Sequence, residues 1–354
     1  MSKRQNRNSA RKSVSAGRRK KVAPKRGLRR LGCVVSVVVF LVVALISAAG
    51  TIFLHHSHKW IDLRLATWPA FVTKPLLVLG SPVSDFLDGM GITGHDVVYE
   101  YDEAAPAGSI IFAGTPRRVS WPAPADIQVL ERSEFLIGWS PSLRHPVWVA
   151  YHVPQQEKFP LAQRPDFTKD QSAKNCPDPN AYSHSGYDRG HMAPNYAIHS
   201  RFGAQVRNLT FAMSNISPQS PRLNRGVWRN VERRIADYWT ERYGEIWVIV
   251  GAIPSKTGEN IGSTGIDIPS AFWQVVVAQE GLDVRALALL YPQDVPDLYY
   301  PSRGLVSIDE LESLTGLDFL SDLPEFIQAP LEAELPTRLW PVGFVNALRQ
   351  LFTM

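Results

Sequence analysis

The sequence predicts an α+β domain of about 250 residues behind a single apolar segment long enough to cross a membrane. Three observations predict it. Residues 31–54 are 24 consecutive positions without Asp, Glu, Lys, Arg or His. Five runs, at 147–153, 210–216, 246–253, 272–278 and 284–290, alternate or are continuously apolar and rich in β-branched and aromatic residues, the pattern of strands. A loop at Ser220-Pro221 leads into a helical pattern that ends near residue 243, and residues 307–314 read as a second, shorter helix.

Taken in order, residues 1–30 hold 13 Lys/Arg and no Asp/Glu. The apolar run that follows spans about 36 Å as a helix, enough for a hydrocarbon core of about 30 Å. The positive-inside rule keeps the basic tail in the cytoplasm and puts the rest of the chain outside it. Ser47-Ala48-Ala49-Gly50 has the small residues of a signal-peptidase site, but the run exceeds the roughly 7 to 15 apolar residues of a signal peptide, so it reads as an uncleaved transmembrane anchor. The acid-free, Arg- and Ser-rich start also fits a mitochondrial transit sequence, while the cluster Arg18-Arg19-Lys20-Lys21 fits contact with anionic lipid at a bacterial inner membrane better. Residues 55–104 form a connector punctuated by Pro and Gly, and residues 105–354 form the main domain. Within the connector, Gly89-Met90-Gly91-Ile92-Thr93-Gly94 matches a dinucleotide fingerprint, yet no buried strand precedes it and it reads as a turn. With only Cys33 and Cys176, no disulfide framework exists.

The net charge of +5 belongs to the tail: beyond residue 30 there are 25 Lys/Arg against 33 Asp/Glu, a net of −8. That excludes a globally basic nucleic-acid-binding domain. Between Asp188 and Arg234, however, eight arginines face only Asp188 and Glu232. Arg225, Arg229 and Arg233 recur every four residues as one helical stripe, and with Arg222 they are expected to grip phosphates without reading bases.

The chemistry concentrates in Asp188-Arg189-Gly190-His191-Met192-Ala193-Pro194, followed by Asn215, Asn224 and Glu232 at 24, 33 and 41 residues after His191. Phosphodiester hydrolysis requires a base for water, a cation for developing charge and donors for the non-bridging oxygens. An imidazole with an ordinary pKa of about 6.5 suits the first of these. A neutral amide oxygen such as that of Asn224 suits Mg²⁺, which keeps most of its waters. On an ideal helix Glu232 lies about 80° around and about 12 Å along from Asn224, too far for direct ligation of the same ion but able to reach back toward its waters. Each residue alone has a plainer reading: His191 as a hydrogen-bonded histidine, Asn224 as a helix cap, Asn215 as a turn residue before Pro218, Arg164 as a surface charge, Glu232 and the arginines as a solvated face. Their conjunction favours the chemical reading.

In order and spacing, Asp188 to Pro194, then Ser214-Asn215-Ile216-Ser217-Pro218-Gln219, then Leu223-Asn224-Arg225-Gly226-Val227-Trp228 and Glu232, resemble the DNA/RNA non-specific endonuclease family of the ββα-metal (His-Me finger) group, which includes endonuclease G-like enzymes. The likeness runs from about residue 134 to 341. It also takes in residues 307–320 and 268–274, where Gln274 stands in place of a frequent family Lys. The resemblance implies a ββα-metal fold, a central antiparallel sheet flanked by helices, with DNA and RNA as substrates. It implies His191 as general base, Asn224 as the single direct protein ligand of Mg²⁺ (Mn²⁺ or another divalent cation being the substitutes), Glu232 in its outer shell, Asn215 lining the site and Arg164 clamping the scissile phosphate. Asp188 is expected to orient the site and Arg189 to be structural or to face phosphate; a homodimer is a further expectation. The competing reading is a non-catalytic envelope module that keeps the fold and binds nucleic acid. A serine hydrolase or zinc enzyme lacks its motifs, since neither Gly-x-Ser-x-Gly nor His-Glu-x-x-His occurs.

Overall fold

The computed structural model describes residues 98–343 apart from 102–104, 107, 161 and 298, together with 90–91 and 346. The basic tail, the apolar run at 31–54 and most of the connector, including all but two residues of the Gly-x-Gly-x-x-Gly stretch, lie outside the described residues. Among the described residues no helix is long and apolar enough to cross a membrane.

Twelve strands form among the described residues: β1 (Tyr99–Glu100), β2 (Arg117–Arg118), β3 (Gln128–Glu131), β4 (Phe135–Ser140), β5 (His145–Val153), β6 (Asp188–His191), β7 (Ile216–Gln219), β8 (Ile246–Ile253), β9 (Ala271–Glu280), β10 (Asp283–Pro292), β11 (Leu305–Val306) and β12 (Leu317–Asp318). Eight of them make one sheet in the order β1-β10-β9-β8-β5-β4-β3, with β11 added to β10; β6 pairs with β7, and β12 with β2. The pairings are antiparallel. This is the mixed α/β architecture with a central antiparallel sheet that the sequence predicted.

The middle strands read as unbroken apolar runs because both of their faces are covered. Along β8, Val248 and Val250 pack with Val149, Tyr151, Phe272 and Val276 on one face, where Met192, Trp228, Val231 and Trp239 meet them. Their neighbours Trp247 and Ile249 pack on the other face with Trp148, Trp273 and Val275 against Ile308, Leu311, Phe319 and Ile327. The period-two alternation thus separates two cores, and the first carries the elements of the functional site.

The helices are α1 (Asn195–Leu209), α2, α3 (Ile308–Thr315) and α4 (Glu325–Ala333). Helix α2 runs end to end through Pro221–Leu223, Asn224–Trp228, Arg229–Arg233, Arg234–Trp239 and Thr240–Tyr243, and its second and fourth segments are π-helical. Ser220 starts it by accepting the Leu223 N–H, while Gly244, at φ 87°, ends it. Four of the five expected strands form, at β5, β8, β9 and β10. The run at 210–216 does not: it turns through a short 3₁₀ segment, Met213–Asn215, before β7 starts at Ile216. There the Asn215 side chain bonds backbone at Ala193 and Thr210, which supplants a ladder.

Where α3 meets α4, the carboxylates of Asp309, Glu312 and Glu332 come within 4.8 Å of one another. Burial first, and then the adjacent carboxylates, push Glu312 up to about 7 and Glu332 up to about 8. Both folded values lie above the unfolded value of about 4.3, so the protonated pair is compatible with folding at acid pH and stability falls progressively as pH rises from about 4.3 through the folded values of about 7 and about 8. Glu332→Gln is therefore expected to raise the melting temperature at pH 9 and to change it little at pH 5. Thermal melts of both proteins at the two pH values check this, and an equal shift at both would count against it.

Candidate active site

The site grows from a two-stranded ribbon and the helix that follows it. In β6 and β7, Asp188 pairs with Gln219, Gly190 with Ser217 and His191 with Ile216. Position 190 accepts only glycine, because a Cβ there would stand 2.1 Å from the Gln219 Oε1 of a fully buried side chain. After His191 the chain is held by Asn215, whose backbone carbonyl accepts from Met192 N–H (3.0 Å) and whose Oδ1 accepts from Ala193 N–H (2.8 Å). Trp228 anchors α2 to the sheet, fully buried and edge-on to Phe272 at 5.7 Å.

One cleft of about 610 Å³ is lined by Arg164, Asp188, Arg189, His191, Asn224, Arg225, Arg229 and Glu232, together with Phe167, Pro194, Asn195, Tyr196 and Arg233. Of the eleven residues singled out in the sequence, only Asn215 and Arg222 lie outside it.

Asp188 joins the ribbon to the helix. It accepts from Asn224 Nδ2 at 2.8 Å and from the Arg225 guanidinium at 2.8 and 2.6 Å in a bidentate fork. Burial opposes its ionisation, but these hydrogen bonds and the Arg225 charge outweigh that and hold the carboxyl below its ordinary range. Only the amide nitrogen of Asn224 can donate to a carboxylate, so the contact fixes which end of the amide faces Asp188 and leaves Oδ1 unengaged by it, in a residue that lines the cleft. That oxygen is the hard, neutral donor a small divalent cation takes.

His191 sits between two phenyl rings, edge-on to Phe211 at 4.8 Å and beside Phe167 at 5.5 Å. Its Nε2 is buried with no hydrogen-bond partner among the described residues. Burial, and then the Arg164 charge, push the imidazole down to about 3. The expectation of an ordinary pKa is not met: partial burial among phenyl rings and then the Arg164 charge favour the neutral ring.

Glu232 also lines the cleft. Burial pushes its carboxyl up to about 8 against the opposing pull of the Trp228 indole and the Arg229 charge. A carboxyl this poorly compensated within the described residues suits a position beside a cation. Its spacing from Asn224 is not that of an ideal helix, since residues Asn224–Trp228 are π-helical and Gly226 departs from helical angles at φ −103°, ψ −114°.

Arg164 is exposed, lines the cleft and forms no ion pair among the described residues. Its loop has no regular structure and is strapped along α1. Phe159 N–H donates to the Ser200 carbonyl, the His199 ring meets the Pro160 carbonyl at 2.8 Å, and buried Arg207 donates to the carbonyls of Ala162 (3.0 Å) and Gln163 (2.7 Å). Within α1, Gly203 at φ 80° breaks the helix where Phe159 lies over it; a Cβ there would sit 3.3 Å from that ring. Because α1 begins directly after the His191 segment, it sets His191 and Arg164 on one frame.

Two expectations are corrected by position. Asn215 does not line the site: fully buried, its Nδ2 donates to Ala193 and Thr210 carbonyls and its Oδ1 is taken by Ala193 N–H, so it shapes the turn from behind. Arg222 lies outside the cleft and pairs with Asp297 at 3.3 Å, both side chains exposed. The local excess of arginines is also spent differently than charge counting suggested. Arg201, Arg207 and Arg234 are buried, and Arg189 donates twice to the Pro179 carbonyl (3.0 and 2.7 Å) while lying 5.3 Å over the Phe167 ring. Sequence reasoning missed Phe167 and Phe211, which wall in His191, and Asn195, whose Oδ1 is buried and unpartnered among the described residues. It also missed Tyr196 and Arg207. Phe167 and Tyr196 stand three and two residues beyond motif positions Arg164 and Pro194, and that adjacency was the available signal.

The sequence profile of the DNA/RNA non-specific endonuclease family matches residues 114–326. A nuclease of Nostoc sp. is 31% identical over 229 residues, covering 59% of this chain and 79% of that protein. Human mitochondrial endonuclease G is 27% identical, covering 56% of this chain and 72% of its own length. Human mitochondrial nuclease EXOG is 29% identical, and the match covers 53% of this chain and about half, 55%, of its own length. A crystal structure of an EndoG/EndoGI complex superposes with a TM-score of 0.51 at 23% identity, over 56% of this chain and 88% of that one, a likeness of fold. With the profile spanning more than half of the sequence, and the ribbon, helix and cleft built as described, the chain belongs to the DNA/RNA non-specific endonuclease family.

Proposed function

We propose that this endonuclease hydrolyses DNA and RNA without regard to the sugar, with His191 as general base and a divalent cation, Mg²⁺ first among them, held by Asn224. The observation that carries the reading is the convergence of His191, Asn224, Glu232 and Arg164 on one cleft. The donor set fits such an ion: an amide oxygen fixed by Asp188, with the half-buried carboxyl of Glu232 in the same cleft to hold the waters that Mg²⁺ retains. When bound there, the cation supplies Lewis-acid stabilisation of the charge that builds on the phosphate and on the leaving 3′ oxygen.

The chain's own residues do the rest. Neutral His191 accepts the proton of the attacking water. Its basicity in the free protein is lowered first by burial and then by Arg164, and substrate phosphate offsets the second of these by neutralising that guanidinium. Arg164 forks onto non-bridging oxygens, the geometry for which guanidinium is suited. Arg229 and Arg233 flank the cleft and attract the backbone irrespective of base, while the Arg225 fork is engaged by Asp188. By likeness to the family, the products carry 5′-phosphate and 3′-hydroxyl ends. The relatives named as nucleases support an enzyme over a module that only binds nucleic acid.

Purified protein incubated with plasmid and with RNA should cleave both, lose activity in EDTA and regain it with Mg²⁺ or Mn²⁺. His191→Ala and Asn224→Ala should each lower kcat by at least about 100-fold, the usual scale for a catalytic proton acceptor or charge-stabilising donor. Cleavage that survives EDTA or the loss of His191 would overturn the mechanism.

The proposal extends to location: residues 31–54 anchor the chain, with residues 1–30 cytoplasmic and the nuclease domain outside the cytoplasm, at a bacterial inner membrane in preference to a mitochondrial one. The charge-free run and its basic flank support this. Fusing a reporter that is active only outside the cytoplasm after Met354 should give an active reporter, and an inactive one would reverse the topology.

A further inference from the structure

Cleavage of a phosphate in this cleft does not by itself depend on whether the flanking bases are paired. Tyr196 bears on that question. It is the second residue of α1, five positions after His191, and lines the same cleft together with Arg229 and Arg233. With 38% of its surface exposed, it is one of the few large side chains with apolar surface left open among the described residues. Phe167, the other aromatic in the cleft, is already engaged, with Arg189 over its ring and His191 and Phe211 packed around it.

Tyr196 is also held in place. Its hydroxyl donates to Asp237 Oδ1 at 2.7 Å, and the same carboxylate meets Lys158 at 2.6 Å and Arg233 at 3.5 Å. Burial of the phenol and the hydrogen bond to Asp237 push its pKa up to about 12, so the hydroxyl remains a donor. Asp237 has two cations beside it, so its charge is compensated without the tyrosine. The result is an aromatic ring fixed at its tip, open to solvent and flanked by guanidinium groups.

We propose that Tyr196 is a stacking platform for an unpaired base beside the scissile phosphate, which makes single-stranded nucleic acid the preferred substrate. A duplex covers both faces of each base with its neighbours, so a ring in the cleft wall meets a base face only when a strand is open. A basic groove with an aromatic face is the combination that binds single strands without sequence preference, and each base–aromatic contact carries roughly a tenfold effect or more. The inference rests on the nuclease reading of the cleft.

The test uses the full chain in detergent, with binding measured in EDTA so that no turnover is needed. The probes are a fluorescein-labelled oligothymidylate and a hairpin duplex, followed by fluorescence anisotropy. Tyr196→Leu should weaken oligothymidylate binding about tenfold and shift hairpin binding much less. Tyr196→Phe, which keeps the ring and drops the Asp237 bond, should stay near the unsubstituted protein, and Tyr196→Trp should bind the single strand at least as well. With Mg²⁺ added, the same preparations should show the loss for Tyr196→Leu chiefly in KM for the single strand. An unchanged ratio of the two affinities in Tyr196→Leu, or a Tyr196→Phe loss as large as that of Tyr196→Leu, would overturn the stacking role. Preserved selectivity for single strands together with absent cleavage would strike the nuclease reading and leave the stacking role standing.

Discussion

The three-way contact of Asp188 with Asn224 and Arg225 is the constraint on which the site depends. It links the ribbon that carries His191 to the helix that carries the proposed metal ligand, two elements separated by more than 30 residues of chain. It holds the Asn224 amide nitrogen toward Asp188 and leaves the amide oxygen unengaged by that contact. The carboxylate therefore selects one of two orientations of an amide whose ends differ only in chemistry. Arg225, which the sequence suggested as a phosphate contact, has its guanidinium fork engaged by this carboxylate.

Around that contact, rigidity comes from apolar packing and polar freedom is confined to the cleft. Trp228, Val231 and Trp239 fasten α2 to the sheet, and Asn215 and Arg207 satisfy backbone groups from behind the reacting surface. His191 occupies an apolar wall with a cation in front of it, an environment that keeps the imidazole neutral. Buried polar residues here set geometry, while exposed guanidinium groups meet solvent and, in the proposed function, substrate.

Much of this was legible in the sequence, for identifiable reasons. Strands β5, β8, β9 and β10 were visible because central strands covered on both faces are long and apolar. The motif from Asp188 to Pro194 with Asn224 and Glu232 marked the cleft because the chemistry admits few residue types at each place. Other parts depend on tertiary partners. Strands β3 and β4 are short, and α1 is interrupted at Gly203, so neither announced itself by periodicity. Helix α2 was legible as a helix, but its π segments, Asn224–Trp228 and Arg234–Trp239, were not, because spacing along the chain does not encode them. Asn215 was recognised as important but expected in the wrong role, because a conspicuous polar residue beside a motif can as well hold the backbone as touch the substrate.

The central claim is that Asp188 orients Asn224 to hold a cation, and the affinity for Mn²⁺ of the free protein tests it most directly. Isothermal titration of the unsubstituted protein, Asn224→Ala and Asp188→Ala with Mn²⁺ separates the roles of ligand and orienting group. The predicted result is no site-specific binding in Asn224→Ala and affinity weakened about 10- to 100-fold in Asp188→Ala, the scale for losing a group that positions a ligand. Unaltered Mn²⁺ affinity in both variants would contradict it.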